Sequence, residues 1–276
     1  MLRDAVDHLA CPVCRGGLAL GDDAVRCARG HSFDVARQGY VSLLTGSAAP
    51  GTADTAAMVE ARARFLGAGH FAAVTAGLRE LASAPGGPRV VLDAGAGTGH
   101  HLAATLGERD VGIALDVSKH ALRRAARAHP RIGAVVADVW RELPVKDAVA
   151  DVLLNVFAPR NGPEFARVLR PGGVLIVVTP TPRHLSPLVE RLGLLSVDEA
   201  KARRVEEALG AHFAEAGHQV REAEMRLDHR AVATVAGMGP SAWHTDPAAL
   251  AEEITRLPDP IAVNLSCRIS LFRKIT

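Results

Sequence analysis

Apolar residues along this chain cluster into short unbroken runs that each end on a polar side chain. Val90 to Leu92 stops at Asp93, Val111 to Leu115 at Asp116, Gly133 to Ala137 at Asp138, and Val149 to Leu154 at Asn155. Leu169 to Thr179, LRPGGVLIVVT, adds a helix end, a turn and a fifth run. Runs of this kind, bounded by turn residues, predict buried strands of a parallel sheet. Between them the period lengthens. DTAAMVEARARFLGAGHF, from Asp54, places Met58, Ala61, Phe65 and Leu66 on one side of a helix that breaks at Gly67 and Gly69. A second helix is predicted over Ala72 to Ala82. Residues 180–220 are mostly polar or helical and read as a lid over the sheet edge. Val220 to Asp228 and Val263 to Phe272 read as a closing strand pair.

The first run enters an informative turn, VVLDAGAGTGHH from Val90 to His101. Gly95, Gly97 and Gly99 alternate, with Thr98 between the last two, whereas the dinucleotide fingerprint spaces its glycines to seat a pyrophosphate on a helix. The alternating form suits S-adenosylmethionine, which has no phosphate. A glycine turn alone is a weak signal, but Asp116 follows at a strand end, where a carboxylate can accept both ribose hydroxyl protons. The strand ends thus offer a glycine turn, an acid, an acid and an amide, in the order expected at the carboxyl edge of a doubly wound α/β sheet. Asp93 reads either as orienting the turn or as approaching the methionine ammonium. His100 and His101 read as polar residues of a helix start.

A second pattern lies near the N-terminus: Cys11-Pro-Val-Cys14, then Cys27 and His31. A CxxC turn puts two thiolates on one face of a tetrahedron, and a hairpin brings the second pair. Four ligands leave no open position, so the expected zinc is structural. The remaining cysteine, Cys267, sits in an apolar strand pattern and is expected in the core.

At 276 residues and 48% hydrophobic, the chain has material for one large core and a small appended unit. The division expected is a zinc-binding unit over 1–46, a linker and helix over 47–70 that opens on SAAPGT, and a methyltransferase domain over 71–276. The first ten residues lack the apolar stretch of a secretion signal, and no segment approaches the roughly twenty apolar residues of a membrane span. A cytoplasmic protein without membrane attachment is expected. Net charge is only +2, so affinity for a polyanion has to come from local patches. The main one is Lys119, Arg123, Arg124, Arg127 and Arg131 at helical spacing; Arg62 and Arg64, Arg183, and Lys201, Arg203 and Arg204 form smaller ones. Each reads also as a solvated helix face.

Taken together, the knuckle with HSFDVARQGYVSLL, then ADTAAMVEARARFLGAGHF, the glycine turn, LDVSKHALRRAARAHP, NVFAP, RPGGVLIVVTPTPRHL and MGPSAW resemble the bacterial 23S rRNA guanine-N1 methyltransferases nearly end to end. GTGHH, ADVW and NVFAPRN are most similar to the actinobacterial branch that includes tylosin resistance. The resemblance implies a class I S-adenosylmethionine methyltransferase fold, with Asp116 on the ribose and Asp138 beside the adenine amino group. It implies cofactor contacts from Phe71, where relatives carry Tyr, and from His184. It also implies a guanine in a hairpin loop of 23S rRNA domain II, near the macrolide site, as substrate, and a homodimer whose cleft accepts RNA. The NVFAP segment, Asn155 to Pro159, is expected to shape the base pocket, with Asn155, Asp138 and His184 as candidate acceptors of the N1 proton. Arg37 and Tyr40 are suggested RNA contacts of the zinc unit. Two alternatives stand beside this reading. A small-molecule methyltransferase of the same fold rarely needs a knuckle, and a noncatalytic zinc protein would not need both Asp116 and Asp138.

Overall fold

The computed structural model describes residues 2–46, 53–83, 87–195, 205, 207–239 and 246–275. A single-turn helix α1 (Leu2–Ala5) precedes three short strands, β1 (Leu18–Leu20), β2 (Ala24–Cys27) and β3 (Ser32–Asp34), which pair antiparallel as a small sheet. Next come β4 (Tyr40–Ser42), α2 (Ala56–Gly67) and α3 (Ala72–Ala82). The alternating part follows as β5 (Val90–Ala94), α4 (His100–Thr105), β6 (Val111–Asp116), α5 (Lys119–Ala128), β7 (Ile132–Val136), β8 (Ala150–Val156), α6 (Gly162–Val168) and β9 (Leu169–Pro180). The chain closes with α7 (Leu188–Arg191), β10 (Phe213–Leu227), α8 (His229–Gly237), α9 (Pro247–Thr255) and β11 (Ile261–Lys274).

The large sheet has eight strands in the order β10-β11-β9-β8-β5-β6-β7-β4. β4 to β9 are mutually parallel, and β11 runs antiparallel between β9 and β10. The chain order reverses at β5, flanked by β6 and β8, and the crevice at such a switch point is where α/β sheets bind ligands. Successive residues of β5 face opposite cores. Val91 joins Val74, Leu78 and Leu102, while Leu92 joins Ile113, Leu153 and Phe165. Burial on both faces is why these strands read as continuous apolar runs.

Several boundaries move relative to the sequence reading. Asn155 lies within β8 rather than beyond it, and the closing strand β10 begins already at Phe213, inside the stretch read as a lid. The linker SAAPGT, the Lys201–Arg204 cluster and most of MGPSAW lie outside the described residues. Cys267 is fully buried in β11, as its pattern implied.

Strand β4 was not anticipated. It falls in the segment assigned to the zinc unit, yet it pairs in parallel with β7, Val41 opposite Val135. Without it the wholly buried β7 would present a bare apolar edge. Tyr40 is consequently buried in the main core and is not a surface RNA contact; Arg37 stays exposed. The zinc unit is further fastened by a backbone bridge between Leu9 and Val145 and by Arg15, which donates to the carbonyls of Leu143 and Val145 at 3.0 and 3.2 Å. Helix α1 lies so close over β7 that a Cβ at Gly133 would collide with that of Ala5.

Candidate active site and metal centre

Beyond β5 the chain turns three times into the left-handed region, at Gly95 (φ 86°), Gly97 (54°) and Gly99 (75°). That is a conformation only glycine adopts without strain. The amides of Gly95 and Ala96 both donate to the carbonyl of Leu115, tying the turn to the end of β6. A Cβ at Gly95 would strike Ala158, and one at Gly99 would lie 3.0 Å from Ala125. The alternating glycines therefore permit close approach of the β8 loop on one side and of α5 on the other. Thr98 is buried within the turn.

Two of the strand-end groups bond to this turn or its approach, Asp116 through the amide of Gly97 and Asn155 through the carbonyl of Ala94. Asp116 accepts from the amide of Gly97 through Oδ2 and from Ser118 through Oδ1, each at 2.8 Å. Burial raises its pKa against the pull of those two amides. Asp138 accepts from the amide of Trp140 at 3.0 Å and lies 3.5 Å from the Arg141 guanidinium. Asp93 is 2% exposed, and its Oδ1 has no hydrogen-bond partner among the described residues. Burial, with the neighbouring Asp116 adding to it, pushes its pKa up to about 8. A buried carboxyl without a donor is costly, and a cationic ligand would relieve it. The methionine ammonium of S-adenosylmethionine has the required charge, so the orphaned acceptor and the glycine cradle fit that cofactor.

Asn155, expected to touch the reacting base, is fully buried. Its Nδ2 donates to the carbonyls of Ala94 at 3.1 Å and Pro159 at 2.7 Å, so its side chain clamps the β8 loop onto the glycine turn. Exposure passes instead to Phe157, two residues on, which is 41% exposed and held at φ 52°. A positive φ in a phenylalanine is strained and marks a position that tertiary structure enforces. Its ring lies 6.2 Å from Phe71 and 6.0 Å from His184, and those two are 5.7 Å apart edge to face. Phe71 and His184 are thus brought together, but as buried partners in an aromatic cluster. Nδ1 of His184 accepts from the amide of Ser266 at 3.3 Å and lies 3.5 Å from Cys267 Sγ, so that nitrogen is engaged within the protein. His101 is buried, shares a hydrogen bond with Thr75 at 3.1 Å, and is held neutral, its pKa pushed down by burial to about 3.

Sequence reasoning missed two further residues. Arg160 ends the same loop; its Nε is buried without an acceptor among the described residues, and burial lowers its pKa. Trp140, beside Asp138, is 67% exposed. Large aromatic side chains are normally covered, so exposure was the missing signal, and it is a tertiary one.

At the N-terminus, the ligand atoms of Cys11, Cys14, Cys27 and His31 lie within 4.8 Å of one another. Cys14 Sγ is 3.7 Å from Cys27 Sγ, and His31 Nδ1 is 3.3 Å from Cys27 and 3.6 Å from Cys11. A zinc tetrahedron with bonds of ~2.3 Å spaces its corners by about 3.8 Å, so the four fit that ion with no position left for water.

The comparisons with known proteins agree with both halves. Residues 9–46 match a zinc-ribbon family profile described as "RlmA, N-terminal", and residues 91–173 match one described as "Methyltransferase domain". A Streptomyces fradiae protein named 23S rRNA (guanine(748)-N(1))-methyltransferase is 49% identical, with both chains covered in full. A Micromonospora griseorubida protein, provisionally named 23S rRNA (guanine-N(1)-)-methyltransferase, is 53% identical, also over both full lengths. The chain belongs to the 23S rRNA guanine-N1 methyltransferase family. A provisionally named member from Bacillus subtilis is 33% identical over 84% of this chain and 86% of its own. Among solved structures, a provisionally named Bacillus halodurans methyltransferase superposes with TM-score 0.50 over 73% of this chain and 99% of its own, at 17% identity, which speaks to the fold. The fold is that of class I methyltransferases carrying an N-terminal zinc ribbon, S-adenosylmethionine is the cofactor and the zinc is structural.

Proposed function

We propose that this protein transfers a methyl group from S-adenosylmethionine to N1 of one guanine in 23S rRNA, in a hairpin loop of domain II. The observation that carries this reading is end-to-end identity of 49% with the Streptomyces fradiae enzyme, zinc ribbon included. The target is accordingly the guanine matching position 748 of that relative's name. Asp93 takes the ammonium of the cofactor, Asp116 the ribose and Asp138 the adenine amino group; Gly95, Gly97, Thr98 and Gly99 let the backbone approach, and Phe71 and His184 close the methionine side.

When bound, the cofactor supplies an electrophilic methyl group on a sulfonium, so the residues mainly orient the base and exclude water. Phe157 stacks on the target guanine, and Asn155 holds the loop that presents it, as a positioning residue. Transfer leaves S-adenosylhomocysteine, and N1 releases its proton to bulk water; as it does so negative charge spreads to O6, to which the guanidinium of Arg160, whose buried Nε has no acceptor among the described residues, offers donors. The zinc unit, 1–46, grips the loop and connects through 47–70 to the catalytic residues, 71–276. A homodimer supplies the RNA cleft, and the modification serves macrolide resistance in the cytoplasm. No helix among the described residues is long and apolar enough to cross a membrane.

The test is methyl transfer to 23S rRNA followed by nucleoside mass analysis. N1-methylguanosine is expected; methylation of any other nucleoside overturns the assignment. Sedimentation tests the dimer, and tylosin susceptibility of a host with and without the gene tests the resistance role.

A further inference from the structure

Helices α2 and α5 enclose a groove of about 420 Å³ that takes no part in the site above. Val59 and Glu60 line one wall; His120, Arg123, Arg124 and Arg127 line the other. All three arginines are exposed. Arg124 pairs with Glu60 across the groove, whereas Arg123 and Arg127 have no ion pair among the described residues. They stand one helical turn apart, a like-charge spacing that costs helix stability. Arg127 in the last turn is repaid by the helix dipole, but Arg123 is not.

The charge is concentrated here. Between Val117 and Arg131 there are five lysines and arginines and no acid, in a chain whose net charge is +2, so the rest of the chain is net acidic. Position adds a second argument. Ser118, the cap of α5, donates from Oγ to the carbonyl of Asp54 just before α2, and Ala125 lies against Gly99 of the cofactor turn. From α2, Arg62 reaches Gly97. On the other flank of α5, a Cβ at Gly39 would meet Ala126 at 3.6 Å, so the zinc unit's final turn borders the same helix. The basic face lies between the unit assigned to grip RNA and the cofactor site.

We infer that the α2–α5 groove binds the phosphodiester backbone of the substrate rRNA, with Arg123 and Arg127 each pairing with a phosphate. Guanidinium groups match phosphate oxygens through paired N–H donors. Contacts to phosphate position RNA without reading its sequence, which leaves base choice to the β8 loop. This inference rests on the rRNA substrate proposed above.

The experiment compares wild type with an Arg123→Gln/Arg127→Gln variant. Readouts are S-adenosylhomocysteine affinity, 23S rRNA affinity at several salt concentrations, and methylation at saturating RNA. Arg226→Gln, an exposed charge on β10 at the far sheet edge, controls for charge loss alone. The double variant should bind S-adenosylhomocysteine as wild type does, bind RNA roughly tenfold more weakly near 0.15 M salt, and lose about 1.4–1.8 from the slope of log affinity against log salt. Saturated turnover should be unchanged. An Arg123→Lys/Arg127→Lys variant should keep most of the slope and guards against a folding defect. RNA affinity and slope equal to those of Arg226→Gln would overturn the inference. A wild-type protein that binds cofactor but neither binds nor methylates rRNA would instead overturn the proposed substrate, and the groove assignment with it.

Discussion

Replacing Asp93 with Asn removes a buried acceptor charge and little volume, so its effect on cofactor affinity reads directly on the charge. With its pKa at about 8, burial being the main cause, Asp93 is about one-tenth ionised at pH 7 in the free protein. Ionising it before pairing costs about 1.4 kcal/mol. A buried charge-assisted pair with the ligand ammonium loses roughly 3–5 kcal/mol when one partner is truncated, leaving a net of about 2–4 kcal/mol. Asp93→Asn should therefore weaken S-adenosylhomocysteine roughly 30- to 1000-fold. The sign with pH follows from the raised pKa. The free folded protein holds a proton on Asp93 that the unfolded chain has released, so its stability falls as pH rises from about 4 to 8. Ligand binding expels that proton, so wild-type affinity should rise with pH up to about 8, until the ligand amine itself begins to titrate. Isothermal calorimetry in buffers of different ionisation enthalpy should show release of close to one proton at pH 7, and none in Asp93→Asn. Equal affinity in the two proteins, or no proton release by wild type, would refute the pairing.

Other substitutions separate the parts of the site. Gly95→Ala combines a φ of 86° with a collision on Ala158 and should abolish cofactor binding while leaving a folded protein by circular dichroism. Phe157→Ala should lower kcat/KM for rRNA by roughly 5- to 150-fold, the equivalent of about 1–3 kcal/mol of base stacking, with S-adenosylhomocysteine affinity within a few-fold of wild type. Arg160→Lys should lower kcat and move the alkaline limb of its pH profile; an unmoved limb removes the O6 role. Cys14→Ser, or chelation of zinc, should lower the main melting transition by roughly 5–10 °C. The basis is that Cys11 and Cys27 share a buried cluster with Leu143 and Val145 of the catalytic part. A main transition that stays put while only the ribbon unfolds would show the two parts to be uncoupled.

The parallel sheet was legible because its strands are buried on both faces and write themselves as unbroken apolar runs ending in Asp93, Asp116 and Asp138. The zinc ligands were legible because coordination fixes residue type and spacing together. Strand β4 was not. YVS is three residues long, and its partner β7 is remote in sequence, so nothing local distinguishes it from the rest of the ribbon. Asn155 was placed at the base pocket because it opens the segment that follows the fourth predicted strand; that its amide would bond two backbone carbonyls, with Phe157 as the exposed residue, depends on how the loop folds back and has no local signal. The basic run of α5 was visible, whereas its groove exists only once α2 packs alongside.

The central claim, methylation of one guanine at N1, is met most directly by primer extension on 23S rRNA incubated with the purified protein and S-adenosylmethionine. N1 methylation blocks Watson–Crick pairing and halts reverse transcriptase. The account predicts a single new stop in the domain II hairpin, at the guanine corresponding to the Streptomyces fradiae target, dependent on cofactor and lost in Asp93→Asn. Cofactor binding without any stop in 23S rRNA would contradict it and return the small-molecule methyltransferase as the better reading.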